Sequence, residues 1–165
     1  MQQRAPVVLD HDEGEAWWFN NDLLTFKATG AQTGGAFLAV EELARRGKLT
    51  PLHVHPDEDE TFFVVEGQAA FHLDGQERTV GGGSFASVPR GVPHAYCVTS
   101  EVARILILVT PGDGAMEEFF RLGGEPARER VLPPAQPLDL ERIGAAAQQT
   151  GAVRLLGPPP FAPAG

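Results

Sequence analysis

Four residues of this chain combine the atoms and the spacing needed to hold a divalent cation: His53, His55, Glu60 and His94. His53 and His55 lie two apart, and on a β-strand such residues face the same side. Both imidazoles can therefore converge on one point. Glu60 lies five residues beyond His55, the wrong parity for an unbroken strand. Between them, Pro56-Asp57-Glu58-Asp59 is rich in turn formers and re-registers the chain. Glu60 then opens a new strand, with Phe62 and Val64 sharing its facing. His94 follows Pro89-Arg90-Gly91-Val92-Pro93, a rigid turn that delivers it to the mouth of a strand. One histidine alone would read as a solvated or packed side chain; three in register with a carboxylate read as ligands. Three neutral imidazoles and a carboxylate suit a divalent first-row metal, which in octahedral form keeps two positions open. Open positions are what Lewis-acid or O2 chemistry needs.

The neighbours of these four divide by facing. Asp57, Glu58 and Asp59 read as solvated surface charges, as acidic runs usually are. Tyr96 shares the facing of His94 and is expected to look inward, its hydroxyl bonded to a ligand or to a structural partner. Cys97 takes the opposite facing and reads as inert packing. Phe62, Phe37, Ile107 and the pair Phe119-Phe120 are candidates for an apolar pocket wall or lid, with core packing the default for each. His11 and His72 read as surface histidines, and Arg90 as one end of a surface ion pair.

Around these residues the chain alternates short β-rich runs with turn signals. Runs at 23–28, 36–43, 51–55, 60–66, 69–73, 77–80, 84–88, 94–99 and 102–109 read as strands, with Asp74-Gly75 a hairpin turn. The aromatic run Trp17-Trp18-Phe19 stops at Asn20-Asn21-Asp22, and residues 1–15 read as an arm or first edge strand. About ten strands at this spacing indicate a sandwich or barrel. After residue 110 the texture changes. A short amphipathic helix is expected over 115–122, a proline-punctuated linker over 126–137, a second helix over 138–149 capped by Gly151, and a last strand at 153–156.

With 165 residues, the chain suits one domain. Fourteen prolines and nineteen glycines favour turns over long helices, hence an all-β class. A net charge of −9 repels phosphate backbones and anionic bilayers, so neither nucleic acid nor membrane is an expected partner. The single cysteine, Cys97, allows no intrachain disulfide, and no apolar stretch approaches a membrane span. A cytoplasmic location is the expectation.

The ligand residues also sit in two glycine-bounded motifs. Gly47, His53, His55, Glu60 and Gly67 match the first cupin motif, and Gly83, Pro89, Gly91 and His94 match the second. Fifteen residues, 68–82, separate them. Val98 stands where the second motif ends in a structural asparagine, which leaves the ligand assignment intact. The chain thus resembles the cupin superfamily. Its flanks, GEAWWFNNDLLTFKATG and the proline-rich tail ending LLGPPP, are similar to the small single-cupin quercetin dioxygenases of actinobacteria.

That resemblance implies a cupin double-stranded β-helix, or jelly-roll barrel, with short C-terminal helices. The barrel core would run over about 23–110, with a helical extension over 111–165, as one domain of 1–165. It implies one divalent transition metal per chain (Ni, Co, Fe, Mn or Cu) held by His53, His55, Glu60 and His94. Glu60 would be the catalytic base toward the 3-hydroxyl of a flavonol. Phe62, Tyr96, Phe37 and Ile107 would touch a small aromatic substrate, O2 would be the second substrate, and a homodimer would be the assembly. Other cupin chemistry on a phenol or diketone, an isomerase, and a non-catalytic ligand-binding cupin remain alternatives.

Overall fold

Period-two alternation of buried and exposed side chains organises the computed structural model, which describes residues 4–161. The readings for residues 1–3 of the arm and 162–165 of the extension fall outside that range. The elements in chain order are β1 (Glu15–Phe19), β2 (Asp22–Ala28), α1 (Gly30–Thr33), β3 (Leu38–Arg45), β4 (Leu52–Val54), β5 (Asp59–Glu66), β6 (Gln68–Leu73) and β7 (Gln76–Gly81). They continue with β8 (Phe85–Val88), β9 (His94–Val98), β10 (Val102–Thr110), α2 (Ala115–Gly123), β11 (Glu125–Pro126), α3 (Leu140–Thr150) and β12 (Arg154–Gly157). A seven-stranded sheet runs β11-β1-β2-β3-β10-β5-β8, and a five-stranded sheet runs β12-β4-β9-β6-β7. Both are antiparallel throughout. Facing one another, they make the expected jelly-roll barrel.

Each inward parity feeds one core. β5 buries Glu60, Phe62 and Val64, β9 buries His94, Tyr96 and Val98, and β10 buries Ala103, Ile105, Ile107 and Val109. Any one-residue slip would turn these faces outward, so burial fixes the register. The two-residue turns are built from residues that tolerate a left-handed backbone: Asn20-Asn21 between β1 and β2, and Asp74-Gly75 between β6 and β7. Gly67, at φ +81°, passes so close to the backbone that a Cβ would lie 2.3 Å from the Val102 carbonyl oxygen, which restricts that place to glycine.

Strand pairing extends beyond 23–110 at both ends. β1 and β11 add to the large sheet, and β12 adds to the small one beside β4. β11 has two residues and no periodicity that a sequence could reveal. α1 went unread in the sequence, although it opens on a capping box: the Thr29 hydroxyl accepts from the Gln32 N–H, and the Gln32 side chain accepts from the Thr29 N–H.

Two sequence expectations are corrected here. Leu38, Val40, Glu42 and Ala44 form the inward face of β3. Phe37 falls on the other parity, just before the strand, and is 38% exposed, so it is no pocket wall. Glu58 is no surface charge but a buried side chain, 1% exposed, because the turn after His55 folds it inward.

Helices α2 and α3 roof one end of the barrel. α2 buries Met116, Phe119 and Phe120, and α3 buries Ile143, Ala146 and Ala147. Phe19 of β1 meets Phe119 and Phe120 edge-on, with ring centroids 5.5 and 5.3 Å apart. Arg121 of α2 donates to both carboxylate oxygens of Glu15 at 2.7 and 2.8 Å, and to Glu117 at 2.9 Å. Its guanidinium also lies 4.6 Å from the ring centroid of Phe26.

Candidate metal centre

His53, His55, Glu60 and His94 each offer one ligand atom, and these four atoms lie within 4.8 Å of one another in a buried cluster. Two backbone contacts bring the three histidines together. His53 of β4 pairs directly with His94 of β9, with ring centroids 4.3 Å apart. The Gly91 N–H donates to the His55 carbonyl oxygen at 2.9 Å, which holds the Pro89–Pro93 turn against the end of β4.

Each imidazole is oriented by a backbone carbonyl behind it. His53 Nδ1 lies 2.8 Å from the Pro51 oxygen, His55 Nδ1 3.0 Å from the Ala152 oxygen, and His94 Nδ1 3.0 Å from the Val92 oxygen. A carbonyl only accepts, so each Nδ1 carries the proton. The three Nε2 atoms are left for the centre, the outer-shell arrangement that metal-ligating histidines use. Glu60 Oε2 lies 2.9 Å from His94 Nε2 and 3.2 Å from His55 Nε2.

A carboxylate facing two Nε2 lone pairs requires a positive charge between them, carried by a proton or a metal. Burial acts to raise the Glu60 carboxyl, but His55 and His94 outweigh it and hold it well below the usual carboxylate range. Burial likewise acts to lower His55, and Glu60 outweighs it and holds the imidazole above its ordinary value. His53 is pushed down to about 3, by burial first and then by His94 and His55, so at neutral pH it is an uncharged donor. A divalent ion can take the place of the proton shared by His55 and Glu60. The donor set therefore fits a divalent metal.

Glu58 lies behind the cluster. Both of its carboxylate oxygens are buried without a hydrogen-bond partner. Burial pushes its pKa up to about 7, opposed by His55 and reinforced by Asp113, Asp57 and Glu60. Asp59 is the acid that pairs at the surface. It accepts from Arg90 Nε at 3.0 Å, as the reading of Arg90 anticipated.

A cavity of about 60 Å³ opens from His53 and Glu60 toward the helical roof. His53 and Glu60 form one part of its lining, and Tyr96, Ile107, Phe119 and Phe120 line it further on. Phe62 stands behind this wall, fully buried, with its ring 5.1 Å from Phe71 and 5.3 Å from Tyr96.

The cavity wall also holds residues that were not anticipated. Lys48 is buried and bonds both Asp22 and Glu42, reaching Glu42 Oε1 at 2.6 Å. The Tyr96 hydroxyl donates to the same carboxylate, lying 2.8 Å from Oε1 and 2.7 Å from Oε2. Lys48, Glu42 and Tyr96 all line the cavity. The signal for Glu42 was present in the sequence, since it shares parity with Val40 and Ala44. Lys48 sits in a turn between strands, and nothing local marks it.

Residues 39–110 match the family model described as a cupin domain. The chain is 30% identical over 148 residues to the quercetin 2,3-dioxygenase of Bacillus subtilis, covering 88% of this chain and 43% of that enzyme. It thus spans less than half the length of that relative. Among solved structures, KdgF from Halomonas sp. superposes with a TM-score of 0.59 at 19% identity, covering 68% of this chain and 98% of that one. The polyketide cyclase RemF of Streptomyces resistomycificus gives a TM-score of 0.51 at 22% identity, covering 68% of this chain and 81% of that one. At these identities the structural likeness concerns the fold.

Proposed function

Given that this chain belongs to the cupin family through residues 39–110, we propose that it is a metal-dependent dioxygenase that opens the heterocycle of a flavonol such as quercetin. The similarity to the Bacillus subtilis enzyme supports the substrate class. The observation that carries the reading is the double placement of Glu60. It belongs to the ligand cluster and it lines the cavity, so one carboxylate can meet both metal and substrate.

When bound, a divalent metal supplies Lewis acidity toward the substrate oxygens and toward O2. His53, His55 and His94 would hold it through Nε2, with their orientation fixed by the Pro51, Ala152 and Val92 carbonyls. Glu60 accepts the proton of the substrate's 3-hydroxyl. Its Oε2 faces the histidines, and Oε1 has no hydrogen-bond partner among the described residues. The products are carbon monoxide and a ring-opened ester that carries both oxygen atoms of O2. Phe19, Ile107, Phe119 and Phe120 keep water from the reacting ring. This reading takes one metal per chain, one domain over 1–165 and a homodimer.

A three-ring flavonol exceeds the 60 Å³ cavity, so the roof of α2, α3 and β12 must give way when it binds. The same tightness favours a second reading, oxygenation of a smaller phenol or diketone at the same metal. Anaerobic mixing of metal-loaded protein with quercetin, followed by air, tests the first. A shifted flavonol absorbance on mixing, then its loss with release of carbon monoxide, is the expected result. Absence of any shift sinks flavonol binding, and a shift without carbon monoxide leaves only a binding protein. Glu60→Gln is expected to retain most metal and to lose about 10²–10⁴-fold in turnover, the usual worth of a general base.

A further inference from the structure

Burying an ammonium group among two carboxylates and a phenol is expensive, and an apolar cluster of equal volume commonly stabilises a fold as well. Here such a cluster stands in the wall of the cavity that also contains Glu60 and His53. Lys48, Asp22 and Glu42 are 7%, 0% and 2% exposed. Tyr96 ties the cluster to the ligand set, because it follows His94 by two residues on β9 with the same facing. That spacing places the cluster about 7 Å further along the barrel from the metal ligands.

The cluster's hydrogen bonding is incomplete. Among the described residues, Lys48 Nζ has two partners, Asp22 and Glu42, for its three N–H donors. Glu42 Oε2 receives only the Tyr96 hydroxyl, which it shares with Oε1. Asp22 Oδ1 is buried with no partner. Thr50 Oγ1, also in the cavity wall, accepts from the Tyr96 N–H and has a hydrogen left to donate. The cavity wall thus presents a spare donor on Lys48 beside a spare acceptor on Glu42. One hydroxyl group satisfies both, accepting from the first and donating to the second. The surroundings, Phe19, Ile107, Met116 and Phe120, are apolar and suit an aromatic ring bearing that hydroxyl.

We propose that Lys48 and Glu42, positioned by Tyr96, form a specificity subsite for a phenolic hydroxyl carried by the substrate at the end remote from the metal ligands. The proposal rests on the flavonol reading and names the feature by which the site would select among flavonols. A hydrogen bond to a buried charged group discriminates by about ten- to a hundredfold against a ligand that lacks the hydroxyl.

The test is an anaerobic spectral titration of the metal-loaded full chain. The ligands are 3-hydroxyflavone and flavonols with one added hydroxyl at successive positions of the outer rings. The wild-type protein is expected to bind one ring position about tenfold or more tightly than 3-hydroxyflavone. In Lys48→Met and in Tyr96→Phe that ratio should fall toward one. Tyr96→Phe keeps the ring against Phe62 and Phe71, so it supplies the comparison if Lys48→Met fails to fold. The ratio is read within each variant, so a merely structural loss would weaken both ligands and leave it unchanged. Equal wild-type affinity for all ligands, or a ratio unmoved in Tyr96→Phe, overturns the subsite while flavonol binding stands. No binding of any flavonol overturns the subsite together with the reading it rests on.

Discussion

Glu58 and Glu60 stand two residues apart, and what their oxygens meet separates them. Glu60 Oε2 faces two imidazoles, whereas both Glu58 oxygens are buried with no partner. An unsatisfied buried polar group costs about 1–3 kcal/mol. Glu58→Met, of similar volume, should therefore raise the stability of metal-free protein by about that amount, read from urea denaturation. A loss of equal size would show that the carboxylate has a partner such as an ordered water. The clustering of His53, His55, Glu60 and His94 was legible in the sequence because strand parity and a proline turn are local features. Which of four consecutive acids turned inward was only partly legible. Parity picks out Glu60 on its strand, but the backbone path through Asp57 and Glu58 is set by tertiary contacts.

Among the elements, α2 is fastened to β1 through Arg121, and the fastening titrates. The side-chain hydrogen bonds from Arg121, then from Trp17, hold the Glu15 carboxyl down at about 2, against an ordinary 4.5. A carboxyl depressed in the folded state stabilises that state above its unfolded pKa and loses the effect as pH falls through the folded one. The stability difference between wild type and Glu15→Gln should be constant above about pH 5, shrink between 4.5 and 2, and vanish below. Its plateau should not exceed about 1 kcal/mol, because the pair is largely exposed. A difference that persists unchanged at pH 2 would assign the effect to packing. The helices themselves were legible from apolar spacing and caps: Asp139 accepts from the Arg142 N–H, and Gly151 closes α3 in the left-handed region. Their docking was not, since Glu15 and Arg121 lie 106 residues apart.

At the scale of the molecule, two cupin motifs sufficed to indicate the barrel, because their glycines and histidines mark consecutive turns and strands. By composition and pattern, residues after 110 stand apart as an extension. In the structure their last strand, β12, completes the small sheet beside the strand of His53. Such pairing joins segments about a hundred residues apart, which no local pattern records. Lys48 was missed for the same reason, since its partner Asp22 arrives from a strand 26 residues earlier.

The bond from His55 Nδ1 to the Ala152 carbonyl, at 3.0 Å, ties that late segment to one of the four residues that could hold a metal. Two events that preserve the same geometry must favour each other, and by equal factors in both directions. Metal occupancy should therefore act as a clasp on the chain's end. Trypsin should cut after Arg142 and Arg154 more slowly in metal-loaded than in chelator-stripped protein. Conversely, protein nicked at Arg142 should bind metal about 10–100-fold more weakly, the usual cost of losing an outer-shell partner. Equal cleavage rates with and without metal would show that the two are uncoupled. If the coupling holds, proteolysis near the C-terminus and metal starvation become one signal, each converting the protein to the same open, metal-poor form.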